Sequence, residues 1–435
     1  MNKKLLELRK KIKNKQLKVA VIGLGYVGLP LAVELADAGV EVVGIDLDKT
    51  KVDGVNSKKS YIQDVPSERL KDLVSKGMLT ATTAYSALMN VDTINICVPT
   101  PLRKTKEPDI SYIIKAAEQI AKYLKKGQLI ILESTTYPGT TDEVLLPMFE
   151  AKGLKVGKDF FLAFSPERVD PGNTMYHTKN IPKVVGGVTS ACTEAAKALY
   201  ELSIDTVYPV SSTRVAETVK LLENTFRAVN IGMVNELALM CDKMNIDVWE
   251  VIDAAKTKPF GFMAFYPGPG LGGHCIPIDP LYLSWKARAF GFEARFIELA
   301  AQVNASMPEY VVRKVGDALN EKGKSIKGAK VLILGVAYKK NVSDFRESPA
   351  FEVINFLNQK GAIVSYNDPY VPSFQDSSMS LKSIKLTHEV LKKSDCVVII
   401  TDHSKYDYNW ILQYADLILD TRNAIKVKNP KVVKL

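Results

Sequence analysis

Cys275 lies in GPGLGGHCIPIDP (268–280), where glycines permit close approach of the backbone to a ligand and prolines restrain the chain. A thiol held in such a loop is a candidate covalent nucleophile. The competing reading is an inert cysteine serving as a small apolar filler. His274 is its neighbour, but adjacent side chains diverge, so it is not assigned as a base. Lys220 and Asn224 stand four apart in a helix-period run and share a face. An ammonium beside an amide can steady a developing oxyanion or carry a proton; the alternative is a solvent-facing pair. Two polar runs, LESTTYPGTT (132–141) and SPERVDPGN (165–173), each follow an apolar strand pattern, at the edge where open α/β sheets bind ligands.

These residues need a scaffold, and KVAVIGLGYVGLPLAVELADAGVEVVGIDLD (18–48) supplies its first unit: apolar run, glycine turn, helix-period stretch, second apolar run. Gly23, Leu24, Gly25, Tyr26, Val27 and Gly28 form a G-x-G-x-x-G turn between strand and helix, with Asp46 ending the second strand. Gly23 makes the tight turn, Gly25 admits a pyrophosphate and Gly28 lets helix pack on strand, while the helix N-terminus faces the phosphates. An acid at position 46 accepts hydrogen bonds from a ribose 2′-hydroxyl and repels a 2′-phosphate, so the cofactor expected is NAD.

Strand patterns at 92–100 and 128–135 extend a doubly wound parallel sheet over 15–205. Helix-period stretches at about 211–245 and 280–319, the second interrupted near Pro308, form a central helical region that serves either as dimer contact or as core. Residues 327–369 repeat the strand, turn, helix, strand scheme with a turn at Gly335 and a closing Asp368, and strands at 394–403 and 416–423 follow. The second turn, GVAYKKN, has one glycine and offers Lys339 and Lys340, which read either as the site of a different phosphate-bearing ligand or as a solvated pair. The fold class is therefore α/β: two Rossmann-like doubly wound parallel-sheet domains joined by a central helical region. The boundaries are 1–14 (a basic extension), 15–205, 206–322 and 323–435.

At 435 residues, with 46% hydrophobic and 24% charged residues, the chain has the composition of a globular enzyme of two or three domains. The net charge of +10 invites a nucleic-acid reading. However, residues 1–18 hold eight Lys and Arg against one Glu without interleaved aromatics, so the excess is largely local and reads as a solvated basic helix. No nucleic-acid partner is expected. With no apolar run of 18 residues and no signal-peptide pattern, neither membrane insertion nor export is expected, and the protein is placed in the cytoplasm. Five scattered cysteines without C-x-x-C spacing indicate neither a disulfide framework nor a metal site.

In order along the chain, GLGYVGLP, VPTP (98–101), ESTTYPGTT, SPER, KLLENTFR (220–227), GGHCIPIDP and DFRESP (344–349) resemble the UDP-glucose/GDP-mannose dehydrogenase family over nearly the whole length. The resemblance implies an NAD-binding domain, a central region for homodimerisation and a C-terminal domain holding the UDP-sugar. It implies four-electron oxidation of a sugar C6 alcohol through a thiohemiacetal and a thioester on Cys275, supplying uronic-acid sugars for surface polysaccharides. Lys220 and Asn224 then steady oxyanions, Asp279 serves proton transfer and water activation, and Thr135 and Glu167 hold the water or assist as base. NAD contacts fall on the glycine turn, Asp46, Thr100, Thr135 and Arg346. Substrate contacts fall on Glu167, Arg168, Lys220, Asn224, Tyr266, Gly268, Gly270, Leu271, Gly272, Tyr338 and Lys339. Two departures, Pro171 for a second glutamate and Ile278 for a lysine, point away from UDP-glucose and toward UDP-N-acetylhexosamines, UDP-N-acetyl-D-glucosamine first and the manno and galacto epimers as alternatives. Two rival readings are a two-electron hydroxyacid-type dehydrogenase and a non-catalytic NAD-binding assembly protein.

Overall fold

The computed structural model describes residues 2–62, 64–103, 107–169, 175–273, 275–375 and 379–435. Pro171 and His274 lie outside the described residues. The chain divides into two compact units, Met1–Glu223 with Leu281–Phe292, and Asn224–Pro280 with Glu293–Leu435.

The first unit is built on eight strands: β1 (Lys18–Ile22), β2 (Glu41–Ile45), β3 (Leu79–Thr82), β4 (Thr93–Ile96), β5 (Leu129–Leu132), β6 (Phe161–Phe164), β7 (Lys183–Gly187) and β8 (Val207–Val210). They are ordered β3-β2-β1-β4-β5-β6-β7-β8, with every neighbouring pair parallel except β6 and β7. Alternate residues of each strand enter opposite cores, which is why the strands read as unbroken apolar runs. Val19, Val21, Leu129, Ile131, Phe161 and Ala163 join one cluster, and Ala20, Ile22, Ile130, Leu132, Leu162 and Phe164 join the other. Helices cover both faces, among them Gly28–Asp37 and Ser190–Tyr200 on the first and Ser111–Tyr123 on the second. The strand order reverses beside β1, so the glycine turn and the residues following β4, β5 and β6 open at the edge where such sheets take ligands.

The basic N-terminal segment is more than a solvated helix. Helix Lys3–Lys13 buries Leu5, Leu8 and Ile12 in the first unit's core, while its lysines and Arg9, with Leu6 and Glu7, face water.

In the second unit, β9 (Lys330–Leu334), β10 (Ile363–Asn367), β13 (Cys396–Ile399), β14 (Ile418–Asp420) and β15 (Val432–Lys434) form a parallel sheet ordered β10-β9-β13-β14-β15. Between them β11 (Ser373–Gln375) and β12 (Ser380–Lys382) make an antiparallel pair. Helix Arg295–Asn320 and helix Pro349–Gln359 pack on one face of the larger sheet through Val311, Val315, Leu319, Val353 and Leu357.

The central region holds helices Thr213–Lys243, Val248–Ala255, Asp279–Arg288 and Arg295–Asn320. The break in its second stretch falls at 289–294, where Gly291 adopts φ +72°, and not at Pro308, which lies inside helix Arg295–Asn320. Burial of Met307, Val311 and Val312 on either side of Pro308 outweighs the one hydrogen bond its missing N–H removes. Among the described residues no helix is long and apolar enough to cross a membrane.

Candidate active site

The predicted residues fall in both units. In the first, Gly23 has φ +92°, and a Cβ there would stand 2.4 Å from the Cys97 carbonyl oxygen. A Cβ on Gly28 would fall 1.8 Å from the Gly23 carbonyl oxygen, whereas one on Gly25 would meet nothing within 4 Å. The outer glycines thus shape the turn and the middle one keeps its mouth open. Helix Gly28–Asp37 starts without a side-chain cap at Val27, so its N-terminal amides suit an anion. Asp46 accepts from the Leu24 N–H (2.8 Å) and the Asp48 N–H (2.9 Å), and pairs with Lys51 at 3.2 Å. Lys51 escaped sequence reasoning because it lies one helical turn beyond the strand end. An open turn, an uncapped helix and a carboxylate at the second strand's end together fit a dinucleotide.

The loop of Thr100 is tied to the segment following the cysteine loop: the buried Tyr282 hydroxyl donates to the Thr100 and Pro101 carbonyls at 2.6 and 3.2 Å. Past β5, Ser134 and Thr136 are buried while Thr135 between them is half-exposed. The turn beyond is held by Glu217, whose carboxylate accepts from the Gly139 N–H (2.6 Å), the Thr141 N–H (2.9 Å) and the Thr141 hydroxyl (2.7 Å). Burial, opposed by these donors, pushes the Glu217 pKa up to about 7. The folded state then keeps a proton that the unfolded chain releases near pH 4.5, so stability should fall as pH rises from 4.5 to 7, by on the order of 2–3 kcal/mol. Glu217→Gln should flatten that slope in urea midpoints measured across the window.

Glu167, half-buried past β6, meets Lys183 at 3.2 Å and accepts from the Arg168 and Val169 N–H groups at 2.7 and 2.8 Å. Arg168 forks onto Glu223 at 2.5 and 3.2 Å and donates to the Pro182 carbonyl at 2.7 Å. Lys220 is buried on helix Thr213–Lys243.

In the second unit, Asn224 Nδ2 donates to Asp279 Oδ2 at 2.6 Å, and the Asp279 N–H closes a turn onto the Cys275 carbonyl at 2.9 Å. Asp279 is buried at the start of helix Asp279–Arg288. Of the five cysteines Cys275 is exposed and the other four buried. Burial pushes the Cys97 thiol well up and the Cys396 thiol to about 12, which makes them inert. Exposure of Cys275 disfavours the apolar-filler reading.

The glycine loop before it is fitted to its neighbours. Asn235, fully buried, accepts from the Gly268 N–H (2.9 Å) and donates to Asn304 (2.8 Å). Gly270 has φ +130° and lies against the Asn304 carbonyl, the one Pro308 cannot pair. A Cβ on Gly272 would stand 2.9 Å from Tyr338 Cβ, and one on Gly268 2.6 Å from Arg422 Nη1. Tyr266 stacks on Trp249 (5.9 Å, 15°) and donates to Asp253 at 2.8 Å. Leu271 is half-buried between these glycines. Gly272 thus lies against Tyr338, and Gly268 against the Arg422 guanidinium. Sequence reading missed Arg422, a lone arginine past a short strand. Lys339 is half-buried, Lys340 is exposed and pairs with Asp402 (3.3 Å), and Arg346 forks onto Asp344 at 2.8 and 2.6 Å.

Asp368 ends β10 as Asp46 ends β2, but it is saturated. It accepts from the Val336, Ala337, Tyr370 and Val371 N–H groups (2.7–3.1 Å) and from His403 Nε2 at 3.0 Å. That carboxylate is spent on the fold, so the second sheet does not offer a dinucleotide what the first offers. Among the described residues no group of three or more His, Cys, Asp or Glu is arranged for a metal.

Comparison with known proteins matches three models of one family: UDP-glucose/GDP-mannose dehydrogenase family, NAD binding domain (residues 17–204), central domain (214–306) and UDP binding domain (332–427). The chain is 38% identical over 359 residues to UDP-N-acetyl-D-glucosamine 6-dehydrogenase of Pseudomonas aeruginosa, covering 82% of this chain and 84% of that one. It is 36% identical over 395 residues to UDP-N-acetyl-D-mannosamine dehydrogenase of Methanococcus maripaludis, covering 89% and 87%. The solved structure of UDP-D-ManNAc dehydrogenase from Pyrococcus horikoshii superposes with a TM-score of 0.87 at 33% identity, over 96% of this chain and 98% of that one. Fold, glycine turn and three successive domain matches converge: the chain is an NAD-dependent nucleotide-sugar dehydrogenase and belongs to the UDP-glucose/GDP-mannose dehydrogenase family.

Proposed function

We propose that the chain oxidises the C6 alcohol of a UDP-N-acetylhexosamine, UDP-N-acetyl-D-glucosamine in the first instance, to the uronate through a thioester on Cys275. The observation that carries this is the exposed Cys275 set between a fitted glycine loop and the Asn224–Asp279 pair. NAD, when bound, accepts one hydride in each of two oxidations. C6 first loses hydride and its hydroxyl a proton, giving the aldehyde, to which Cys275 Sγ adds. The thiohemiacetal loses a second hydride and its hydroxyl proton to become the thioester. Water then adds at C6, the C–S bond breaks, and carboxylate and thiol are released with a proton.

The residue roles are those the family resemblance implies, and hydrogen-bond capacity supports that of Asn224. Asn224 spends one amide N–H on Asp279 and keeps the second for oxygen at C6, where Lys220 adds a positive charge. Asp279 serves proton transfer in the Cys275 step and water activation, while Glu167 and Thr135 hold the hydrolytic water or assist as base. The glycine turn, Asp46, Thr100, Thr135 and Arg346 take the cofactor. Arg168, the 266–272 loop, Tyr338 and Lys339 take the UDP-sugar, with Arg422 as an added contact. In this reading residues 15–205, 206–322 and 323–435 act as cofactor, helical and UDP-sugar regions of a cytoplasmic enzyme.

Relatives named for glucosamine and mannosamine sugars support the hexosamine class, and Ile278 supports it against UDP-glucose. NADH formation with UDP-N-acetylglucosamine, UDP-N-acetylmannosamine, UDP-N-acetylgalactosamine and UDP-glucose tests the choice. The gluco epimer should give the highest kcat/KM, and preference for another sugar would reassign the substrate. The homodimer expected through the central helices is supported by Phe226, Met233 and Met240, exposed at intervals of seven on helix Thr213–Lys243, with the exposed Met244 just past its end. Light scattering at twice the monomer mass supports it, and a monomer refutes it.

A further inference from the structure

Lys183 opens β7 with 5% of its side chain exposed, and its ammonium sits between two carboxylates, 2.8 Å from Glu133 Oε2 and 3.2 Å from Glu167 Oε2. Glu133, with 0% side-chain exposure, is otherwise satisfied by the fold. Its Oε1 accepts from Asn95 Nδ2 at 2.6 Å and from the Tyr200 hydroxyl at 2.7 Å. The same ammonium lies 5.0 Å over the Tyr200 ring. A buried Glu–Lys pair would be complete without Glu167, and ion pairs in the interior are poor stability devices because desolvation offsets their attraction. The third, half-buried charge instead links this pair to the ligand edge of the sheet, beside a small open cavity lined by Pro166, Glu167, Arg168, Thr178 and Lys183.

We infer that Lys183 is a positioning residue for thioester hydrolysis, fixing the Glu167 carboxylate in place and ionised so that it receives the attacking water. The inference rests on the role given to Glu167 under Proposed function. Glu167 Oε2 is aimed by Lys183 and Oε1 by two backbone N–H groups, so neither oxygen can turn away. The charged groups facing Glu167 are Lys183 from β7 and Glu133 past β5, with the buried Cys97 thiol past β4; the Arg168 guanidinium is turned onto Glu223. Burial raises the Glu167 pKa, but the Lys183 ammonium and the two amides more than reverse this and hold it below the ordinary carboxylate range. Loss of the ammonium should therefore raise it, and the acid limb of hydrolysis should move to higher pH.

Lys183→Met alone strands two buried carboxylates and risks misfolding, so the test uses Glu133→Gln/Lys183→Met, which removes both members of the inner pair. Glu133→Gln, Glu133→Gln/Lys183→Arg and Glu167→Gln are compared with it. Each folded variant is mixed with UDP-N-acetylhexosamine and NAD from pH 5 to 9. Steady-state rates and the thioester on Cys275, read by intact mass after acid quench, are recorded. The double variant with methionine should move the acid limb up by about one pH unit or more and accumulate thioester about tenfold at pH 6. Glu133→Gln and the arginine double variant keep a cation on Glu167 and lose a neighbouring negative charge, so their acid limb should stay at or below the wild-type position. An unmoved limb without thioester accumulation, alongside a Glu167→Gln enzyme that stalls as thioester, overturns the inference and leaves Glu167 its role. A Glu167→Gln enzyme that hydrolyses at the wild-type rate overturns the reading of Glu167 and the inference with it.

Discussion

Replacing Cys275 by serine should reduce NADH formation by about 10³-fold or more while leaving NAD binding and thermal stability near wild type. Serine keeps the size of the side chain, and because Cys275 is exposed the change disturbs no core contact, so stability should move by less than about 0.5 kcal/mol. A hydroxyl, however, is scarcely ionised at neutral pH and is the weaker nucleophile, so the aldehyde is not captured efficiently and the second oxidation lacks its covalent intermediate. Cofactor fluorescence titration with parallel initial rates separates the two effects. Retained turnover would remove the cysteine from the chemistry.

The glycine turn should respond differently at its first and second glycines. Gly23→Ala meets two obstacles, a left-handed φ of +92° and a carbonyl oxygen 2.4 Å from the new methyl. It should destabilise the first unit by roughly 3–5 kcal/mol and weaken NAD binding about a hundredfold. Gly25→Ala meets no protein atom within 4 Å and should fold with near-normal stability. Yet its methyl would occupy the approach of the pyrophosphate, so NAD affinity should still drop about tenfold or more. Differential scanning calorimetry with NAD titration distinguishes them. Equal destabilisation by both would mean that the turn is not shaped as described.

How much of this was legible in sequence depended on whether a residue's task is local. The turn at 23–28, the strands at 18–22, 41–45, 93–96 and 129–132 and the recurrence of the scheme after 327 are carried by short-range periodicity and glycine geometry, and sequence reads them well. Lys183 and Glu133 were illegible because they are 50 residues apart and each resembles a polar end on an apolar strand; only assembly of the sheet, with β6 between their strands, brings them to 2.8 Å. Glu217 carries no local signal, because the 139–141 turn that closes on it lies 76 to 78 residues away in sequence. Asp368 matched Asp46 in position, and only its five hydrogen bonds distinguish a structural carboxylate from a ligand-facing one. Pro308 misled because a proline's cost was counted without the burial surrounding it.

The electrostatics follow the same division. A carboxylate's environment is set by what folds over it, so Glu167 is held below and Glu217 pushed above the ordinary range by the balance of burial against nearby cations and amides. No composition or spacing argument separates them.

The claim that one polypeptide carries both oxidations through Cys275 is tested most directly by counting reduced cofactor against sugar consumed. With limiting UDP-N-acetylhexosamine and excess NAD, the account predicts two NADH for each uronate formed. One NADH per sugar, with aldehyde as the end product, would contradict it.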